Sequence, residues 1–316
     1  MWLQLRMYLL TIVLFGILYA IIAAAGSLLG ISNFLFYGIA AIALIFIQYM
    51  IGPKIVEWSM KVRYVSEKEE PELHKMVAEV ANKAGINKPR VGISEMSMPN
   101  AFAFGRWKGD ARICVTRGIL NLVSKDELKA VLGHEMTHVT NRDVTVITLL
   151  SVIPMLCWWL SRGFLFSSTD RERGNAAVLI GIFAFIMYFV TNLLVLYASR
   201  IREYSADKGS VKLGSRPDHL ASALYKLVYG NAKANRSEVK QTQGYRAFFV
   251  NDPSTAASDF SDLRALDKDM SGTIDAEELG NIRNIKVRIG KAERLMEILS
   301  THPNMLKRIQ HLSALK

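Results

Sequence analysis

Four long apolar runs constrain this chain more than any other feature. Met7 to Ala25 is apolar apart from Thr11. Phe34 to Ile51 holds one polar residue, Gln48. Val144 to Leu160 is interrupted only by Thr and Ser, with Pro154 as a kink, and Ala176 to Ala198 is uncharged. Each approaches the ~20 residues that a helix needs to span a bilayer. Core helices of a soluble protein are shorter and broken by charge. The runs bring 316 residues to 51% hydrophobic content and a mean hydropathy of +0.19, too apolar for an ordinary soluble pair of domains. Ala23-Ala24-Ala25-Gly26 could mimic a signal cleavage site. The second run follows almost at once, however, with no polar domain between to export, so a membrane hairpin accounts for both. The predicted organisation is a transmembrane hairpin over 1–52, a polar part over 53–143, a second hairpin over 144–199 and a second polar part over 200–316.

Orientation follows the positive charges. Arg6 precedes the first run, Lys54, Lys61, Arg63 and Lys68 follow the second, and Arg200, Arg202 and Lys208 follow the fourth. Both termini and the polar bulk are thereby placed in the cytoplasm, on a multi-pass protein of the cell membrane. Arg162, Arg171 and Arg173, in the loop between the third and fourth runs, run against that rule. The net charge of +11 suits a domain lying on an anionic leaflet. No basic-aromatic motif supports nucleic-acid binding. Cys157 falls inside an apolar run, so no disulfide with Cys114 is expected.

Within the first polar part, Gly52-Pro53 is expected to end the second apolar helix. Pro71 to Ala84 reads as a helix stopped at Gly85. Lys88 to Ile93, Ala101 to Phe104 and Arg112 to Thr116 read as short strands. His74 and His219 carry no motif and are expected to face solvent.

The chemistry centres on His134-Glu135-Met136-Thr137-His138, an H-E-x-x-H pattern. Residues four apart stack on one helical face, so His134 and His138 can aim at one metal ion. Two neutral imidazoles and an open position suit zinc, and Glu135 can act as general base on a water there. The flanks support a well-made helix. Ser124 with Glu127 forms a capping box, and Leu128, Val131, Leu132 and Met136 form an apolar stripe. The helix is expected to carry on through Asn141-Arg142-Asp143 into the third run, which puts the site at the membrane surface. Asn141 or Asp143 could orient a histidine or simply be a helix-end polar group.

Zinc needs a third protein ligand. Glu203, just after the fourth run, is the best candidate, because two spans return the chain to its starting side. Asp207 lies four residues on, along the same helical face. Asn100, Ala101, Phe102, Ala103 and Phe104 form a candidate edge strand that could pair with substrate backbone; an ordinary core strand shows the same alternation.

A separate pattern covers 267–278. Asp267, Asp269, Ser271, Thr273, Asp275 and Glu278 fall at the liganding positions of an EF-hand loop, with Gly272 at the sharp turn. The loop is a candidate for Ca2+, or an acidic turn that binds nothing. EF-hands usually pair, and this chain has one copy.

On these motifs, with Met98 to Gly105 and Glu203 to Asp207, the chain resembles the HtpX family of membrane-bound zinc metalloproteases and, more distantly, the CaaX prenyl proteases. The resemblance runs from the N-terminal hairpin to His302-Pro303. It implies a mainly α-helical integral membrane protein with a small β-sheet, a zincin-like cytoplasmic metalloprotease domain on about four transmembrane helices. It also implies that His134, His138 and Glu203 bind one Zn2+ with Glu135 as general base. His302 would stabilise the oxyanion, and Arg308, six residues on, would pair with an acid such as Asp207. The implied substrates are misfolded or damaged membrane proteins, cleaved at the cytoplasmic face. The segment at about 255–292, with the EF-hand-like loop, looks like an insertion that the family does not explain. Two rival readings are a CaaX-type prenyl-protein endopeptidase and a non-enzymatic, calcium-responsive membrane adaptor. Oligomeric state is not legible in the sequence.

Overall fold

The computed structural model describes residues 9, 13, 34–165, 175–241, 249–251, 253, 255–283 and 297–315. The first apolar run, apart from Leu9 and Val13, lies outside the described residues, as do 166–174 of the arginine-bearing loop and 284–296 of the insertion. The chain is mostly helical with one small mixed sheet. It divides into two units: Met1–Ile51 with Thr145–Ser199, and Gly52–Val144 with Arg200–Lys316.

Among the described residues, the first unit takes parts of three helices: α1 (Phe34–Ser59), α5 (Asp143–Leu165) and α6 (Asn175–Lys212). Leu150, Ile153 and Cys157 of α5 pack on Val195 and Ala198 of α6. Other faces of α6 leave Leu179, Ile182, Phe183, Ile186 and Phe189 exposed, an outward apolar surface that fits lipid better than water. Among the described residues, Val178–Lys212 is the segment long and apolar enough to cross a membrane. The second and third apolar runs are helical as well, within α1 and α5.

The second unit is built on four strands: β1 (Val62–Tyr64), β2 (Arg90–Ser94), β3 (Ala101–Phe104) and β4 (Arg112–Thr116). Their order is β1-β2-β4-β3, with β2 and β4 parallel and the outer pairs antiparallel. Among the described residues, β3 is therefore an edge of the sheet. Helix α2 (Pro71–Lys83) buries Leu73, Val77, Val80 and Ala81, and Gly85 at φ +66° turns the chain out of it. After α3 (Arg117–Leu122) comes α4 (Lys125–Thr140), whose capping box of Ser124 and Glu127 is present as predicted. The core is completed by α7 (Pro217–Ala232), α9 (Ala256–Leu263), α10 (Ala276–Ile282) and α11 (Met305–Ser313), while α8 (Arg236–Gln241) adds one short turn.

Three expectations need correction. Helix α1 does not end at Gly52-Pro53 but runs on to Ser59. Val56 and Met60 pack into a cluster with Phe102, Phe104, Cys114 and Phe249, and burying two such side chains, about 1.5–3 kcal/mol each, offsets the ladder bond lost at proline. Helix α4 does not carry on into the third run. It ends at Thr140, and Arg142 takes a left-handed φ of +57° before α5 starts at Asp143. His74 is buried, with Nε2 3.0 Å from the Val65 carbonyl and Nδ1 without a hydrogen bond; it belongs to the core and does not face solvent.

Helices α4 and α6 meet through small residues. A Cβ on Gly209 would overlap the Thr137 side chain, and one on Gly133 would come within 2.8 Å of Ser210 Oγ. Ser210 Oγ donates to the Ala130 carbonyl at 2.7 Å. This close approach brings Glu203, two turns earlier on α6, beside His134 and His138. Gly209→Ala is expected to destabilise the chain by roughly 1–3 kcal/mol through overpacking. Gly280→Ala, where the added methyl meets nothing within 4 Å, is expected to be neutral or to stabilise by about 0.5–1 kcal/mol. Denaturant melts of the two variants against wild type check the pair.

Candidate metal centre

His134 and His138 sit on one face of α4, as the four-residue spacing requires, with ring centroids 4.8 Å apart and nearly perpendicular planes. Their Nε2 atoms are 3.1 Å apart. Glu203 faces both, with Oε2 3.6 Å from His134 Nε2 and Oε1 3.5 Å from His138 Nε2. One ligand atom from each of the three residues lies within 4.8 Å of the others. Each imidazole turns its other nitrogen to a carboxylate: His134 Nδ1 is 2.9 Å from Asp207 Oδ1, and His138 Nδ1 is 2.6 Å from Asp143 Oδ2. That arrangement leaves both Nε2 lone pairs free to converge on a cation.

Arg308, wholly buried, anchors the acidic side. Its Nε and Nη2 donate to Asp207 at 3.0 and 2.6 Å, its Nη1 lies 3.1 Å from Glu203 Oε2, and Nη1 also donates to the Val250 carbonyl at 3.0 Å. Burial disfavours a charged guanidinium, but Asp207 and Glu203 outweigh it and raise the Arg308 pKa. His302 is buried with both ring nitrogens lacking a hydrogen bond, its Nδ1 3.6 Å from Glu203 Oε2.

The donor set fits a divalent metal. Four buried carboxylates, Glu135, Asp143, Glu203 and Asp207, face two buried guanidiniums, Arg202 and Arg308, a formal excess of two negative charges. Burial alone would lower the pKa of the His134 imidazole, yet Asp207 and Glu203 lift it to about 10; positive charge is favoured here. Two imidazoles and a carboxylate are ligands that zinc accepts.

Burial raises the proton affinity of Glu135, and the two histidines only partly offset it. Its carboxylate takes a hydrogen bond from the Ala103 backbone N–H. Asn100 O pairs with Thr116 N, so by antiparallel alternation Ala101 and Ala103 turn their backbone groups to the open side of β3. The candidate substrate strand is thus an edge strand beside Glu135. Its side chains are buried as well, Phe102 and Phe104 in the cluster under α1. Asn100 lies just outside the strand, and its side chain accepts the Val250 N–H at 3.0 Å.

Asn141 is not the group that orients His138. It is the exposed C-cap of α4, with its side chain 3.5 Å from Ser205 Oγ, and Asp143 takes that place. The Val250 backbone, braced between Asn100 and Arg308, escaped the sequence reading because backbone atoms leave no pattern in a sequence.

The 267–278 loop forms a compact turn with Gly272 at φ +78°. Asp267 Oδ1 and Oδ2 accept from Ser271 N and Gly272 N, both at 2.9 Å, and Tyr225 Oη donates to Asp267 at 3.1 Å. Glu278 Oε1 accepts from Lys268 N at 2.7 Å. Asp267, Asp269 and Glu278 offer oxygens within 4.8 Å of one another. Ser271 Oγ and Thr273 Oγ1 bond each other at 2.9 Å, and Asp275 caps α10.

Removing one partner of a buried ion pair costs about 3–5 kcal/mol. Arg308→Ala is expected to lose stability of that order, and Arg308→Lys to recover only part, since an ammonium cannot reproduce the two-pronged contact with Asp207. Urea unfolding monitored by circular dichroism checks both.

Peptidase family M48 matches this chain over residues 67–316. A protein named Protease HtpX homolog from Methanothermobacter thermautotrophicus is 55% identical over 226 residues, 72% of this chain and 86% of that one. One of the same name from Moorella thermoacetica is 34% identical over 276 residues, 85% and 80% of the two chains. The crystal structure of S. mikatae Ste24p shares the fold, with a TM-score of 0.51 at 17% identity over 98% of this chain, which spans 65% of the Ste24p chain. A histidine pair with an adjacent glutamate, set among buried carboxylates, is what a metal-dependent peptidase requires, and the chain belongs to peptidase family M48, as a membrane metalloprotease.

Proposed function

We propose that this chain is a zinc-dependent endopeptidase of the cell membrane that cleaves misfolded or damaged membrane proteins at the cytoplasmic face. The observation that carries it is the convergence of His134, His138 and Glu203 beside Glu135 and the open edge of β3. Zinc held there would polarise the scissile carbonyl and acidify a water. Glu135, whose burial raises its proton affinity, would take a proton from the attacking water and return it to the leaving amine. His302, whose two buried ring nitrogens make no hydrogen bond, would stabilise the developing oxyanion. Substrate backbone adds as a strand along Ala101 and Ala103, displacing the Ala103 N–H from Glu135. Backbone pairing reads extended chain rather than sequence, which suits substrates marked by damage.

The zincin-like part is the second unit, and the first is its membrane anchor of about four helices. The positive charges bordering the apolar runs support the cytoplasmic assignment. The adaptor reading falls with the family match. The prenyl-protein reading keeps one supporting observation, the fold shared with Ste24p. The 267–278 loop is proposed as a site for Ca2+ on its twelve-residue pattern and on the three convergent carboxylates.

The test compares purified wild type with Glu135→Gln in detergent, both loaded with zinc, on unfolded casein and on a prenylated C-terminal peptide, with and without chelator. Wild type is expected to cut casein, chelator to stop it, and Glu135→Gln to lose roughly 10²–10⁴-fold of the rate. Preferential cleavage of the prenylated peptide would replace the quality-control reading. Equal activity in both proteins would remove Glu135 from the mechanism. For the loop, Ca2+ titration by calorimetry is expected to show one site in wild type and none in Glu278→Gln; a silent wild type ends the calcium proposal.

A further inference from the structure

His134 and His138 are oriented by different means. Asp207, four residues after Glu203 on α6, reaches His134 Nδ1 directly. The residue before Glu203 on that helix is Arg202, a pure donor that cannot accept the N–H of an imidazole. The carboxylate on His138 comes from Asp143 instead, five residues after it in sequence. On an unbroken helix, five residues advance about 500°, roughly 140° away from His138 around the axis, so Asp143 could not face it. The break at Arg142, with φ +57°, redirects the chain and returns Asp143 to the imidazole.

The two oxygens of Asp143 then have separate tasks. Oδ2 lies 2.6 Å from His138 Nδ1, and Oδ1 lies 3.1 Å from Arg202 Nε. Arg202 is 8% exposed, and neither its Nε nor its Nη1 makes a hydrogen bond, so it meets Asp143 as an ion pair. A buried guanidinium with an unsatisfied nitrogen carries a desolvation cost, and Asp143 is the carboxylate that answers it. Arg202 is covalently next to Glu203. One chain of contacts, His138–Asp143–Arg202–Glu203, therefore ties a histidine of α4 to the carboxylate of α6 across the place where the metal would sit.

We propose that Asp143 and Arg202 are positioning residues for the metal centre. Asp143 holds the proton of His138 on Nδ1 and so presents the Nε2 lone pair to the metal. Arg202 fixes the Asp143 carboxylate and registers it to Glu203. The proposal rests on the reading of His138 as a metal ligand, and its test separates the two.

The experiment uses the full chain in detergent, with wild type, Asp143→Asn, Asp143→Glu, Arg202→Gln and His138→Ala. Three quantities are read: zinc affinity by chelator competition, the visible absorption of the cobalt(II)-loaded protein, and the melting temperature of the metal-free protein. Asp143→Asn is expected to bind zinc about 10–100-fold more weakly and to shift the cobalt spectrum at saturating metal. Arg202→Gln is expected to do the same toward the lower end of that range, and Asp143→Glu to recover part of the loss. A purely structural role would lower the metal-free melting temperature and leave the cobalt spectrum unchanged. Wild-type affinity and spectrum in Asp143→Asn overturn the proposal; should that variant not fold, the same result in Arg202→Gln overturns it. Unchanged zinc affinity in His138→Ala would instead sink the ligand assignment in the proposed function.

Discussion

The metal centre depends on one buried guanidinium. Arg308 has no contact with solvent, and it meets Asp207 through two nitrogens and Glu203 through a third contact. Without it, Asp207 and Glu203 would keep only the neighbouring imidazoles against their charge in a low-dielectric interior, and the protein would protonate one or open the site to water. Arg308 comes from α11, whereas Asp207 and Glu203 come from α6. Helix α11 is thus a structural member of the site. The Val250 carbonyl accepts from the same guanidinium, which draws that residue into the same network.

Charge placement and helix packing act together here. Gly209 and Ser210 allow α6 to approach α4 where larger residues would hold the helices apart. That approach sets the distance between Glu203 and the two histidines. The carboxylates behind the histidines come from α6 for one and from the start of α5 for the other. A centre drawn from four helices, α4, α5, α6 and α11, is held from several sides, which is the rigidity that a preorganised hydrolytic site needs.

Much of the site was legible because its residues obey helical spacing. His134, Glu135 and His138 are four apart or adjacent, Glu203 and Asp207 are four apart, and Ser124 with Glu127 announced the start of α4. The EF-hand pattern likewise foretold a glycine at positive φ at Gly272. Misreadings fell where tertiary contacts override local preference. Helix α1 continues through Pro53 because Val56 and Met60 have a cluster to enter. His74 is buried because Val65 offers it a carbonyl. The three-residue strand β1 is too short to show any alternation.

By itself the sequence determined the apolar runs, the pattern of ligands and base, the short strands of the sheet and the family to which these belong. Each is a property of neighbours along the chain, governed by periodicity, capping and composition. Only the tertiary structure decided that Asp143, rather than Asn141, stands behind His138. The physical reason is that a single left-handed residue, Arg142, ends α4 and turns Asp143 back over the imidazole. It also decided that β3 is an edge of the sheet among the described residues, beside Glu135, and that Arg202 faces Asp143 rather than solvent. Those outcomes depend on which surfaces meet after the chain has folded, and spacing along a sequence carries no record of them.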